Sequence, residues 1–420
     1  MSVAPEIERA DAFLQELRRR TVDEPGVTRA SYGEGEQIAH DMVRAWAQEL
    51  DLKITLDHAG NQYMTLPGRD ASAPSLMMGS HMDSVPHGGN YDGAAGVVAG
   101  MTALQRMRTL GVTPRMDVTV MAICAEELSW FPAPYIGSRA AFGLLPADAL
   151  VSIVRFDTGR TLAQHMKEGG HDADAVRAGK HHLEASRIGA YIEVHIEQGP
   201  HLVQLQKRSA VVTGIRGNHR YKHSRVIGEY GHAGAVPRGD RKDALLAAVG
   251  FVSELENMWK RREAAGEDLV CTVGQFHTDA AVHTMTKIPG EVHFTMDYRS
   301  YDENVLTACH RELSENAKRI GGARGVTIDL GEHTHAEAAV MDPKLVALAK
   351  RTAQRLGIDA AEMASGAGHD CAVFANEGVP CAMIFIRNDH SSHNPKEAMD
   401  IEDFAEACTL LHGMLDELTA

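Results

Sequence analysis

The chain has 420 residues, of which 44% are hydrophobic and 24% are charged, and its formal net charge is −15. This length predicts more than one domain, and the negative charge argues against nucleic acid or an anionic membrane as a partner. No apolar run is long enough to span a membrane, and the acidic N-terminus has no hydrophobic signal core, so we expect a cytoplasmic protein. The six cysteines are scattered without a CxxC pair, which argues against a disulfide framework and a thiolate zinc site.

The first part of the chain alternates helical and strand patterns. The predicted elements are helices over 5–20 and 33–50, strands over Lys53–Leu56, Gln62–Leu66, Ser75–Gly79 and Asp117–Ala125, a buried helix over Gly93–Leu110, and a strand over Ala190–Val194. A β-α-β order with short connections predicts a mostly parallel sheet covered by helices.

From about residue 210 the pattern changes to pairs of strands separated by single helices. The predicted elements are strands over 209–215 and 221–228, a helix over Lys242–Arg262, strands over Leu269–Phe276 and Glu291–Tyr298, a helix over 302–320 and a strand over 325–331. The helix–strand alternation then resumes, with a strand over Cys381–Ile386 and a helix over 401–418. We therefore predict an α/β domain over 1–211 and 333–420, interrupted by a smaller α+β domain over 212–332.

Polar side chains follow several of the predicted strands. These candidate ligands are His81, Asp83, Asp92, Glu126, Glu127, His195 and His393. Ligands gather at the carboxyl ends of parallel strands, and imidazole and carboxylate donors without thiolates suit Zn²⁺, Co²⁺, Mn²⁺ or Ni²⁺ in an open, catalytic site. The adjacent Glu126 and Glu127 cannot both point at one ion, so one could bind metal while the other handles protons; a solvated strand end is the alternative for this pair.

Five stretches carry a resemblance to a known family. Residues 79–96, GSHMDSVPHGGNYDGAAG, resemble the signature of the co-catalytic dizinc aminoacylase/carboxypeptidase superfamily. Four more stretches resemble the amidase, hydantoinase and carbamoylase branch of this superfamily: AEELSWFPAPYIGSRA (125–140), EVHIEQGP (193–200), SGAGHD (365–370) and SSHNPKEAM (391–399). This branch contains N-carbamoyl-L-amino-acid hydrolase, beta-ureidopropionase and allantoate amidohydrolase. The resemblance implies a catalytic α/β domain with an inserted lid and dimerisation domain, and a homodimer formed through that insert.

The resemblance also implies a role for each candidate ligand. Asp92 would bridge two divalent ions, which would be zinc, or manganese, cobalt or nickel. His81 and His195 would complete the coordination of one ion, and Glu127 and His393 would complete that of the other. Glu126 would be the general base, and Asp83 would orient the His81 imidazole.

Four further residues are implied to contact the substrate. Gln198 would donate to a substrate oxygen, and Arg299 would clamp a carboxylate. His232, in a GHAG motif, would donate to the developing oxyanion, often from the partner subunit in relatives. Thr286 stands where relatives have an asparagine substrate contact.

One segment departs from the family pattern. Residues 218–225, NHRYKHSR, are apolar and aromatic in relatives and here appear one residue longer. Alternation in an extended strand would place His219, Tyr221 and His223 on one face and Arg220 and Lys222 on the other. Two interpretations are open: a charged edge strand protected against unwanted pairing, and a cationic wall that alters substrate selection.

The leading functional hypothesis is a dimetal hydrolase that cleaves a linear ureido or amide C–N bond beside a carboxylate. His195 favours this hypothesis, because peptidases of the superfamily usually carry a carboxylate where this branch carries the histidine of HIEQGP. The alternatives are an N-acyl-amino-acid hydrolase or dipeptidase on the same scaffold, and a non-catalytic metal-binding relative.

Overall fold

A computed structural model describes residues 4–420 of the chain. Its strands are β1 Val22–Asp23, β2 Gly26–Val27, β3 Lys53–Leu56, β4 Gln62–Leu66, β5 Ser75–His81, β6 Val118–Ile123, β7 Ile188–Ile196, β8 Ser209–Ile215, β9 Gly217–Ile227, β10 Gly231–His232, β11 Val270–Thr272, β12 Phe276–His277, β13 Lys287–Ile288, β14 Glu291–Ser300, β15 Thr327–Asp329, β16 His333–Ala336, β17 Ala339–Val340, β18 Ala361–Ser365 and β19 Cys381–Ile386.

The helices precede, separate and follow these strands. They are α1 Pro5–Arg20, α2 Glu34–Glu49, α3 Ala94–Thr109, α4 Ile136–Ala141, α5 Ala149–Ser152, α6 Leu162–Glu168, α7 Ala173–Arg177, α8 His201–Leu205, α9 Ala244–Ala264, α10 Glu303–Arg324, α11 Pro343–Leu356, α12 Asp370–Asn376 and α13 Ile401–Leu418. Within residues 4–420, no helix combines the length and the apolar character needed to cross a bilayer.

The chain divides into two compact units. The first runs to Thr213 and resumes at Val340, and the second comprises Gly214–Ala339. Residues 333–339, which the sequence pattern assigned to the last part of the α/β domain, lie in the second unit. The reason is that β16 pairs with β9 of that unit's sheet.

The first unit is built on a nine-stranded sheet with the order β17-β8-β19-β7-β5-β6-β4-β3, with β18 on β8. The four central strands, β19, β7, β5 and β6, are parallel, as the β-α-β pattern predicts. The outer pairs are antiparallel: β8 with β19, β4 with β6, and β3 with β4. Helices cover both faces of this sheet, and alternate residues of β7 therefore pack against helices on opposite sides. Ile192 and Val194 join the core that contains α3, whereas Tyr191 stacks on Phe374 of α12.

The second unit is a six-stranded antiparallel sheet with the order β11-β14-β9-β15, in which β12 also pairs with β14 and β16 with β9. The helices α9 and α10 pack on one face of it. Because β9 has partners on both sides, the interpretation of residues 218–225 as a protected edge strand is wrong.

The alternation within β9 is interrupted by a bulge. The register between β9 and β14 shifts so that Lys222 and His223 stand opposite the single residue Thr295. His219 and Tyr221 are buried, as the alternation predicts, but His223 is exposed and Ser224 is buried in its place. The bulge accommodates one extra residue in β9 and reverses the expected direction of His223.

Candidate metal centre and active site

The candidate ligands meet at the carboxyl edge of the parallel strands. His81 is the last residue of β5, Glu126 and Glu127 follow β6, and His195 lies near the end of β7. His393 is in the loop after β19. Since these four strands are neighbours in one sheet, residues far apart in sequence come together there.

Asp92 lies at the centre of this group and is almost completely buried. Its Oδ1 atom is 3.2 Å from His195 Nε2 and 3.7 Å from His81 Nε2. Its Oδ2 atom is 3.3 Å from His393 Nε2, which in turn is 3.6 Å from Glu127 Oε1. The two oxygens of one carboxylate therefore face two different sets of donors.

The donor set fits divalent cations. Donor atoms of His81, Asp92 and His195 all lie within 4.8 Å of one another. Two buried atoms of the group, His195 Nε2 and Glu127 Oε1, have no hydrogen-bond partner among the described residues, an arrangement that a cation would satisfy. Burial would raise the pKa of Asp92, but its contacts with the two flanking imidazoles hold that pKa well below the ordinary value and keep the carboxylate ionised.

Asp83 connects the two halves of the site. Its carboxylate lies 3.3 Å from His81 Nδ1 and accepts hydrogen bonds from the backbone N–H groups of Glu126 and Glu127, each at 3.1 Å. It also accepts from the Ser31 hydroxyl. Burial alone would raise the pKa of Asp83, but the bond with His81 and these other donors hold it below the ordinary value. Asp83 thus orients an imidazole and also fixes the backbone that carries the glutamate pair.

Glu36, which the sequence analysis missed, supports the same backbone from the other side. This buried carboxylate accepts hydrogen bonds from the N–H groups of Tyr32 at 2.6 Å and Ala125 at 2.7 Å. It lies in the first turn of α2 and has no motif around it that indicates a role, so only the folded structure reveals it.

Glu397 and Ser392, also missed, hold Asp92. Glu397 Oε1 accepts from the backbone N–H groups of Tyr91 at 2.8 Å and Asp92 at 3.3 Å. The Ser392 hydroxyl is 2.7 Å from Asp92 Oδ2, and Gln198 Nε2 donates to both Asp92 oxygens at 3.1 and 3.0 Å. Glu397 and Ser392 lie within SSHNPKEAM, so the motif marks their location but not their function.

The backbone of the site is locally strained. Ala125, Gln198 and His393 all have positive φ, at 53°, 65° and 58°, a region that L-residues rarely adopt. Gly93 has a φ of +66°, and a Cβ built on it would lie 2.5 Å from the His81 ring. Only glycine therefore fits between Asp92 and α3 while the imidazole keeps its place.

Glu126 lies beside the donors without joining their closest contacts. Its Oε2 atom is 3.9 Å from His81 Nε2, and its side chain is 13% exposed. Burial raises its pKa well above the ordinary value; His81 opposes the shift, and the charge of Glu127 reinforces it. A carboxyl group that can hold a proton at the mouth of a cation site has the properties of a general acid–base.

The other predicted contacts lie in the second unit. His232 in β10 pairs with Lys287 in β13, and the Thr286 carbonyl accepts from Ala233 N–H at 2.9 Å, so His232 and Thr286 are neighbours. Both are exposed.

Arg299 lies on β14, on the sheet face opposite the helices. Its guanidinium bonds to Asp297 at 2.8 and 3.1 Å, and Arg220 of β9 bonds to the same carboxylate at 2.8 Å. Asp297 thus lies between two arginines that share a face, and the positive charge of Arg220 is partly neutralised.

Comparison with known proteins agrees with the motifs. The chain matches Peptidase family M20/M25/M40 over residues 77–417. It is 32% identical over 388 residues to an N-carbamoyl-L-amino-acid amidohydrolase from Pseudomonas sp. (strain NS671), covering 92% of each chain. It is 33% identical over 368 residues to an allantoate amidohydrolase from Escherichia coli (strain K12), covering 87% of each.

A solved structure of a hydantoinase/carbamoylase family amidase from Burkholderia ambifaria superposes with a TM-score of 0.84 at 27% identity, covering 100% of this chain and 98% of that one. The resemblance predicted from the motifs is therefore confirmed. The chain belongs to Peptidase family M20/M25/M40, in the amidase, hydantoinase and carbamoylase branch of these hydrolases.

Proposed function

We propose that this hydrolase cleaves the linear ureido bond of an N-carbamoyl-amino-acid-like substrate bearing a carboxylate, using two divalent ions per chain. The chain is a C–N hydrolase of a metal-dependent family, and its relatives are named for carbamoyl amino acids and for allantoate. The observation that carries the proposal is the buried His195 imidazole that faces Asp92. The family resemblance implies that peptidases of the superfamily usually have a carboxylate at this ligand position.

The division of donors around Asp92 supports two ions rather than one. His81 and His195 would hold one ion through their Nε2 atoms, and Glu127 and His393 the other, with Asp92 shared. Zinc is the first candidate, and manganese, cobalt or nickel also suit imidazole and carboxylate donors. When bound, such ions polarise a scissile carbonyl and lower the pKa of a water molecule.

In this mechanism Glu126 takes a proton from the attacking water and delivers it to the leaving nitrogen. The water oxygen bonds to the carbonyl carbon, the C–N bond breaks, and the nitrogen leaves as a neutral amine or ammonia. Asp83 keeps Glu126 in position by binding its backbone N–H and also orients His81, and Glu36 binds the N–H of the preceding residue, Ala125.

Four residues are proposed to recognise the substrate. Gln198 would donate to a carbamoyl or carboxylate oxygen, and Arg299 would bind the substrate carboxylate. His232 would donate to the developing oxyanion, with Thr286 beside it. Since Asp297 already binds both Arg220 and Arg299, a substrate carboxylate would compete with Asp297 for these guanidinium groups.

The proposed substrate class is tested by product analysis. The metal-loaded chain is assayed with matched N-carbamoyl, N-formyl and N-acetyl forms of the same L-amino acids, and with Glu126→Gln as the inactive control. We expect the free amino acid together with ammonia from the N-carbamoyl series, because a ureido carbon leaves as carbamate and decomposes. Release of acetate as the main activity would instead establish an N-acyl-amino-acid hydrolase, and no turnover of any series by the loaded chain would contradict an enzymatic function.

We further propose that the working unit is a cytoplasmic homodimer formed through the second unit, which acts as a lid and supplies His232 to the neighbouring subunit. The exposed position of His232 in the short β10–β13 ribbon supports this, because a side chain that acts on a neighbouring chain must be accessible.

The proposed exchange of His232 predicts complementation between two inactive variants. His232→Ala and Glu126→Gln subunits, each inactive alone, are co-expressed and purified as mixed dimers. If His232 acts on the partner, each mixed dimer contains one intact site of its two, and about half of the parent activity per dimer is recovered. Mixed dimers without any recovery, or a fully active monomer in solution, would contradict the exchange.

A further inference from the structure

The second unit contains a group of histidines that is not part of the candidate metal centre in the first unit. His219 of β9 packs against three others, with ring centroids 4.4 Å from His335, 4.8 Å from His333 and 5.4 Å from His310. The segment that contains His219 is the one that departs from the family pattern. We call His219, His310, His333 and His335 the histidine cluster.

The cluster brings potential ligand atoms together. A ring nitrogen from each of His219, His310 and His333 lies within 4.8 Å of the other two. His219 Nδ1 and His333 Nε2 are 3.0 Å apart, close to the separation of about 3.3 Å between two nitrogens on a tetrahedral zinc ion. The other nitrogen of His219, Nε2, is buried and has no hydrogen-bond partner among the described residues.

Neighbouring groups orient the imidazoles. The Tyr221 hydroxyl is 2.5 Å from His310 Nδ1, so that Nδ1–H can donate to it and leave the lone pair of Nε2 available. Glu303 Oε1 is 3.0 Å from Nε2 of His335, a fourth ring that packs on His219 but is not one of the three ligand candidates. Oxygen atoms that accept from the second ring nitrogen are the usual companions of histidine ligands, because they fix both tautomer and ring orientation.

The location of the cluster would let an ion enter from solvent and connect separate elements of the second unit. His219 is buried in the central strand, His310 is half-buried on α10, and His333 is exposed on the edge strand β16. An ion can therefore enter from solvent, and ligands on three different elements would be joined by it.

We propose that the second unit binds one divalent transition-metal ion, zinc or nickel, through His219, His310 and His333, separately from the candidate catalytic centre. Three neutral imidazoles form a donor set that suits these ions. Bound there, the ion ties the edge strand β16 and the helix α10 to the central strand β9, and so stabilises the second unit.

The proposal is tested by metal stoichiometry on the full-length chain. The parent, His333→Gln and His283→Gln are equilibrated with micromolar free zinc and analysed for zinc per chain. His283 is the control, since it is an exposed histidine of the same unit that contacts Thr278 and lies outside the cluster. We expect the parent and His283→Gln to retain one zinc more per chain than His333→Gln, because ions in the first unit contribute equally to all three.

Thermal unfolding gives a second readout that does not depend on activity. Added zinc should raise the unfolding temperature of the second unit in the parent and in His283→Gln. The same addition should raise it less in His333→Gln. His310→Gln, a further single-ligand variant, should behave like His333→Gln. Equal zinc content in all four proteins, or an additional zinc that binds only at millimolar concentration, would overturn the proposal.

Discussion

Glu126→Gln is expected to lower kcat by about 10²- to 10⁴-fold while leaving metal content and substrate KM near the parent values. The substitution removes proton transfer and keeps the size of the side chain. Its backbone N–H still donates to Asp83, so the loop that carries Glu127 keeps its position. The measurement is steady-state kinetics on the metal-loaded variant together with elemental analysis.

Two comparisons make the result specific to proton handling. Glu126→Asp keeps a carboxylate but shortens it, so partial recovery is expected. A loss of activity in Glu126→Gln accompanied by loss of metal would instead show that Glu126 is a ligand, and near-native kcat would exclude it as the base.

Removing divalent ions with a chelator is expected to abolish turnover, and adding them back should restore it. At full activity, the first unit is expected to hold two ions per chain. His195→Ala and His393→Ala should each lower occupancy, since their Nε2 atoms face different oxygens of Asp92. His87→Gln is the control, because His87 is an exposed loop histidine that hydrogen-bonds to the Asp23 carbonyl.

Elemental analysis and activity are compared across these variants at one buffered concentration of free metal. Equal losses of both ions in each histidine variant would indicate a single cooperative site. Full activity in a preparation free of metal would contradict the mechanism.

The sequence predicts the site well where strand ends carry motifs. His81, Glu127 and His195 follow hydrophobic strands of a β-α-β pattern, and in a parallel sheet such positions converge whatever the details of packing. The long helices are predicted for the same reason, since their apolar periodicity is strong. The four short helices over 136–177 have too few turns to produce a periodic signal and were not predicted.

The supporting residues could not be predicted, because they act on distant backbone. Glu36 binds the N–H of Ala125, 89 residues away, and Glu397 binds that of Asp92, 305 residues away. Nothing local to either glutamate indicates these partners. The prediction of the sheet face on which His223 lies was wrong for a different reason. A single bulge shifts the alternation of every residue after it, and a pattern of period two does not reveal where the bulge lies.

The position of β19 has a consequence for synthesis on the ribosome. This strand begins at Cys381 and lies between β7 and β8, so the central sheet has a gap until the last tenth of the chain has been made. Residues 214–339 are contiguous, and their contacts can form while that gap persists. Until β19 arrives, β7 and β8 each present an unpaired edge, and His393 and Glu397 have not yet been added. The nascent chain is therefore expected to depend on chaperones at a stage when its second unit is already folded, and to acquire its ligand set only after release.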